Sequence, residues 1–327
     1  MDYALAEYAL AAAMLVTSMY GMGTTLTARD FIDVARSPLS LLVVLGMQWL
    51  VAPLLAVLLA RFLHVSPGVA AGMLLIVALP GGSYTNLTYL GRGNVALSVA
   101  ATTLCTSLCL VTTPLVLKIF GQGLDVSGVV MPARLIITEI GCWLLGPLAA
   151  GMATRRFLPL AYATAGRWAI RASLAVMAAL FATLLAAGRL ELFSQGWRAP
   201  VAVLLLAVVS LWLTYGVCVL ARRSCSDTLA IAIEVVVRNG NLALLLQASL
   251  FVHPTDAASS VSGMSGMSGM SGMSVMSGAA TSLGAGALYT ILVYVCVSLG
   301  IACIEVTAHR QSSGVIYGRA ARVRTAA

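Results

Sequence analysis

Glu234 and Arg238 lie in the stretch IEVVVRNGNLA, residues 233–243, inside a long apolar run. An acid or a base at the centre of a bilayer costs roughly 2.5–3.5 kcal/mol on insertion scales. Four residues apart, the two would share one face of a helix, with the acid in the favoured N-terminal position. As a buried pair, each would neutralise the other. Asn239-Gly240-Asn241 comes at once and reads as a helix break with a cap. A second polar break stands at Pro80-Gly81-Gly82, with Ser83, Thr85 and Asn86 after it. Proline and paired glycines end a helix; Ser, Thr and Asn restart one.

Backbone broken at membrane depth persists only where protein buries it or where it lines a wet cavity. A plain kink is the alternative for either break alone. Two breaks at mid-depth, both with polar caps, point instead to the central site of a transporter. Freed carbonyls and hydroxyls can ligate a cation there. The restarted helices present N–H groups to an anion.

Hydropathy supplies the elements that must hold these breaks. The chain has 327 residues, 60% hydrophobic and 9% charged, against roughly 25% charged in soluble domains. Apolar runs recur from end to end, without the alternation of a membrane β-barrel. The sequence therefore predicts an all-α polytopic membrane protein. Nine spans are expected, at about 3–22, 39–63, 66–90, 94–118, 130–152, 168–187, 199–221, 227–252 and 278–305. The first has no basic residues before it and reads as a retained span, not a cleaved signal. The third and eighth spans carry the two breaks and cross in opposite directions, the relation of an inverted repeat.

Basic residues set the orientation. With the N-terminus outside, 13 of the 19 Lys and Arg fall on the inner side and 5 on the outer, leaving Arg238 within the membrane. The C-terminus is then cytoplasmic in a plasma or inner membrane. The net charge of +8 is spread over short loops, so a nucleic-acid partner is not expected. The seven cysteines form no CxxC pair and read as small buried hydrophobes. The outer loop 253–278 repeats Ser-Gly-Met. Thioethers could take copper, but the composition reads as a flexible low-complexity expansion. The basic tail 308–327 enforces topology or touches anionic lipid.

At these residues the sequence resembles the bile acid:sodium symporter family. GMGTTLTARDF (21–31), MQWLVAP (47–53), LPGGSYTNLTYLGRGNVALSV (79–99) and IEVVVRNGNLALLL (233–246) carry the likeness. The resemblance implies two inverted helical repeats, about 1–120 and about 130–305, in a single transporter domain split into a core and a panel. It implies alternating access, sodium coupling without an organic cofactor, and small organic anions such as bile acids, pantoate or keto acids as substrates. A monomer is expected. Carried over residue by residue, a first sodium site falls on Thr85, Asn86, Ser98, Thr102 and Glu234. A second falls on Gln48 and Glu234, with carbonyls near Val235 and Val237. Substrate contacts fall on Ser83 and Asn239.

Two departures stand out. Only Leu87 separates Asn86 from Thr88, where the family has two residues. One residue fewer within a helix turns all later positions by about 100°, which bears on Ser98 and Thr102. Arg238 stands where the family has a sodium-ligating glutamine. Arg238 then has three readings: a salt bridge to Glu234, a fixed charge in place of the second sodium, or a partner for the substrate carboxylate. One sodium, a proton or no coupling ion are all compatible with it. His64, His253 and His309 fall at span ends or in loops. Glu139, in the fifth span, is paired with Arg134 or lines the cavity. A channel would need a continuous polar stripe, a receptor would not need two broken helices, and a membrane enzyme would need an acid or histidine cluster at a membrane edge.

Overall fold

The computed structural model describes residues 3–27, 38–82, 84–122, 124, 133–186, 195–251 and 270–325. Eleven helices make up these residues. They are α1 (Tyr3–Gly23), α2 (Pro38–Phe62), α3 (Pro67–Ala78), α4 (Thr85–Leu90), α5 (Val95–Gly121), α6 (Ala133–Phe157), α7 (Tyr162–Ala186), α8 (Arg198–Leu220), α9 (Cys225–Val236), α10 (Gly240–Phe251) and α11 (Met270–Thr325). Four of them, α2, α5, α6 and α8, together with the Leu283–Gln311 part of α11, are long and apolar enough to cross a membrane. The apolar lengths Tyr8–Gly23, Pro67–Ala78 and Gly240–Leu250 are shorter. The predicted third and eighth spans are each two half-helices, α3–α4 and α9–α10, parted at the expected breaks.

Polar side chains start several helices by accepting orphan N–H groups. Asn94 accepts from Leu97 N at 3.1 Å, and Ser224 from Asp227 N at 3.1 Å. Two helices are loosened internally by π turns, Met47–Val51 in α2 and Ile140–Leu145 in α6. Each turn ends two residues before a proline, Pro53 or Pro147. Proline cannot donate to the preceding turn and clashes with it, so a widened turn accommodates the ring. The MQWLVAP motif is thus the sequence of a π turn.

The helices pack as two groups. α1 lies along α6 and α7. The second group holds α2, the α3–α4 pair, α5, α8, the α9–α10 pair and α11. α10 meets α1, and α5 meets α6, where the groups join. Small residues bring α1 against α6. A Cβ at Gly23 would lie 2.2 Å from the Leu148 carbonyl, and one at Gly151 would lie 2.3 Å from that of Tyr20. Close backbone approach of this kind drives helix association in membranes. Gly151→Ala should therefore part α1 from α6 and cost about 1–3 kcal/mol. The check is the Tm of the purified protein against a Gly216→Ala control, whose Cβ meets nothing within 4 Å.

Three expectations change. α11 continues beyond its predicted span at both ends, from the last Ser-Gly-Met triplets into the basic tail. Ala and Arg favour helix in the tail, but intrinsic propensity does not account for helix in the triplets. The rest of that loop, 252–269, lies outside the described residues. The cysteines are not uniformly buried: Cys105, Cys109 and Cys218 are, whereas Cys142, Cys225, Cys296 and Cys303 are exposed. Cys142, Cys296 and Cys303 share the outward surface with apolar side chains such as Leu58 and Trp212. Such a surface suits hydrocarbon and needs no protein cover. Glu139 is buried and does not pair with Arg134, which is exposed.

Candidate functional site

The two breaks meet. After α3 the chain runs extended from Leu79, and after α9 it runs extended at Val237 (φ −91°, ψ 105°). Gly81 and Arg238 form an antiparallel bridge. Gly82 N donates to Val237 O at 2.9 Å, and Asn239 N donates to Pro80 O at 3.1 Å. Each break thus satisfies backbone groups that the other has freed, which is the condition for irregular backbone away from water. The remaining helix-end carbonyls are met by side chains from other helices. Thr113 donates to Ala78 O at 3.0 Å, Tyr294 to Val236 O at 2.8 Å, and Gln48 to Glu234 O at 3.0 Å. Asn239 Oδ1 accepts from Leu242 N at 3.1 Å and starts α10.

Beside the crossing, polar atoms are buried without partners among the described residues. Glu234 is 2% exposed; its Oε2 accepts from Thr102 Oγ1 at 2.8 Å, and its Oε1 has no partner. Gln48 lies in the π turn of α2 and is fully buried, and its Oε1 is also unpartnered. Arg238 is among the largest fully buried side chains. Its Nη1 donates to Leu79 O at 3.1 Å, while Nε and Nη2 have no partner. An unpartnered polar atom in such a place costs about 1–3 kcal/mol, more if it is charged. Two orphan acceptors, one a carboxylate oxygen, fit a hard cation that prefers oxygen ligands. Two orphan guanidinium nitrogens fit an anionic group.

Of the three readings of Arg238, the salt bridge to Glu234 is not formed: no hydrogen bond or close ion pair joins them. Helical spacing of four does not apply, because α9 ends at Val236 and the chain turns extended at Val237, before Arg238. Arg238 points instead to the end of α3.

The first expected cation set is only partly gathered. Thr102 bonds Glu234, and its hydroxyl also reaches Ser98 O at 2.9 Å. Ser98 Oγ accepts from Thr88 Oγ1 at 3.4 Å. Thr85 is half-buried and Asn86 exposed, and neither side chain makes a hydrogen bond among the described residues. In the six-residue α4, Thr88 is the one buried position. Ser83 lies outside the described residues, and Asn239 is buried at the crossing.

The model of the family described as "Sodium Bile acid symporter family" matches residues 12–196. The chain belongs to the sodium bile acid symporter family. It is a transporter and an integral membrane protein, not an enzyme. It is 32% identical over 235 residues to the uncharacterized sodium-dependent transporter YocS of Bacillus subtilis, covering 71% of this chain and 72% of that one. It is also 32% identical over 249 residues to the probable chloroplastic sodium/metabolite cotransporter BASS2 of rice, covering 74% of this chain and 57% of the relative. A shorter match, 32% over 145 residues, joins it to the human sodium/bile acid cotransporter 4, covering 44% and 33% of the two chains.

In this symporter family member, several site-building residues escaped the sequence reading. Thr88 is one; its place three residues after Thr85 on a short helix was the available signal. Tyr294, which caps the end of α9 from α11, left none. The partners of Glu139 left none either. Tyr8 donates to its two carboxylate oxygens at 3.1 and 3.2 Å, and Ser249 donates to Oε1 at 2.9 Å.

Proposed function

We propose that this chain is a sodium-coupled carrier of small organic anions, of the bile acid, pantoate or keto acid class, working by alternating access. The observation that carries the reading is the crossing itself. Two broken helices are paired at Gly81 and Arg238, with unpartnered oxygens on Glu234 and Gln48 and unpartnered nitrogens on Arg238 beside them. Cation ligands and an anion partner so close together suit coupled movement of both.

The chain crosses the membrane nine times, with its N-terminus outside and its C-terminus in the cytoplasm. Each half runs long helix, broken pair, long helix: α2, α3–α4, α5, then α8, α9–α10, α11. That order, with the antiparallel bridge between the breaks, supports inverted repeats. α1, α6 and α7 are the panel, and the other helices are the core. One sodium is held at the first site by Glu234 with Thr102, Ser98, Thr85 and Asn86, and Gln48 belongs with Glu234 to the second site. Ser83, Asn239 and Arg238 meet the substrate. Arg238 stands in for a second sodium: a guanidinium in a low-dielectric site repels a cation placed beside it.

Counterflow in proteoliposomes tests the carrier. Unlabelled keto acid inside should accelerate entry of labelled keto acid, and only with sodium outside; sodium-blind counterflow would leave an uncoupled or proton-coupled carrier. Arg238→Gln tests the stand-in charge. In a sodium titration of thermal stability, with choline holding ionic strength, the variant should gain a second and steeper sodium dependence. A response identical to that of the natural protein would place Arg238 on the substrate alone.

A further inference from the structure

Glu139 is buried yet takes no part in the sodium site proposed above. No Lys, Arg or His among the described residues pairs with it. Its partners are the hydroxyls of Tyr8 and Ser249. Tyr8 and Glu139 belong to α1 and α6, in the first helix group. Ser249 is itself buried and belongs to α10, in the second. The side-chain bonds Tyr20 with Thr154, Ser173 to Met14 O, and Arg155 to Thr25 O stay inside the first group. The bond from Ser249 crosses between the groups.

Ser249 shares a continuous half-helix with the break, ten residues and about 15 Å along α10 from Asn239. Any shift of the first group against the site-bearing helix must stretch or break the Ser249–Glu139 bond. Glu139 also stands directly before the π turn Ile140–Leu145. Such widened turns recur at functional positions, and Gln48 sits in the other one.

We propose that the Ser249–Glu139 hydrogen bond is a latch between the two helix groups and sets the balance between the access states of the transporter. The proposal rests on the alternating-access reading above. A hydrogen bond to a carboxylate is among the stronger ones, so losing it should shift a two-state balance by roughly ten- to a hundredfold.

The test is a distance measurement on the full chain in lipid nanodiscs. Spin labels go on Cys303 of α11 and on α7 through Arg167→Cys, with the exposed Cys142, Cys225 and Cys296 replaced by serine. Pulsed electron resonance then reads the separation of the two groups. Ser249→Ala should raise the weight of a second distance by about tenfold or more. Glu139→Gln keeps an acceptor for Ser249 and should raise it less. Ser173→Ala removes a buried bond of similar kind inside one group and should leave the distribution alone. Should Ser249→Ala match the parent while the parent still shows counterflow, the latch is wrong and the carrier reading stands. A parent without counterflow overturns both.

Discussion

Glu234→Gln is expected to abolish stabilisation by sodium while leaving the sodium-free protein as stable as before, or slightly more so. The carboxylate is buried, one oxygen is bonded by Thr102, and the other has no partner. Glutamine keeps an acceptor for Thr102 and removes a buried charge that makes no close ion pair, only a longer-range attraction to Arg238. Sodium-free folding therefore loses little and sheds a desolvation cost. Sodium binding, by contrast, loses the attraction of a full negative charge at contact distance. At an effective dielectric near 20, that attraction is about 4 kcal/mol, or roughly 10²–10³-fold in affinity. Stabilisation by a ligand grows as RT ln(1 + [L]/Kd), so a sodium titration that raises Tm in the natural protein should go flat in the variant. Sodium-driven uptake should fall by a similar factor. A variant that loses stability without sodium yet keeps its sodium response would make Glu234 a structural partner of Thr102 and nothing more.

Gly81→Ala should act in the opposite order, on folding first. A Cβ there would lie 2.2 Å from Glu234 Oε1, 2.5 Å from its Cδ and 2.7 Å from its backbone oxygen. None of these can move freely: Thr102 holds the carboxylate, and Gln48 holds the carbonyl. The added methyl must push the two breaks apart and weaken the Gly82–Val237 and Asn239–Pro80 bonds. Overpacking with the loss of buried backbone bonds gives a cost of order 3–5 kcal/mol. The expected result is a large fall in Tm without sodium, together with loss of the sodium response. Gly121→Ala, whose Cβ would sit at an ordinary 3.7 Å from Leu74, should change neither. Natural Tm and sodium response in Gly81→Ala would mean that the breaks are not held as tightly together as described.

Much of this was legible in the chain, because the interrupting residues have few other uses at membrane depth. Pro80-Gly81-Gly82 and Asn239-Gly240 marked both breaks, and the half-helices end and begin there. What failed was the inference from spacing. Glu234 and Arg238 look paired only if one helix carries both, and the helix stops between them because Val237 is recruited into pairing with Gly82. A local rule was overridden by a partner more than 150 positions away. The same holds for α4. Carried-over ligands pointed to Thr85 and Asn86, whereas packing of a six-residue helix buries Thr88 against Ser98. Glu139 was visible as an acid in an apolar run, but its partners lie 131 and 110 positions away. No periodicity reports such contacts. The two π turns were written as prolines and read only as motif.

The mutual pairing of the breaks also has a history in time. Gly81 leaves the ribosome 157 residues before Arg238, which at 5–20 residues per second is roughly 8–31 s. Throughout that interval the first broken helix has exposed amides and carbonyls and nothing of its own to close them. It is not a finished span in lipid until that pairing forms. Until the second half arrives, those groups need some other polar cover. The crossing that serves the assembled transporter thus cannot close until the second half of the chain has been made.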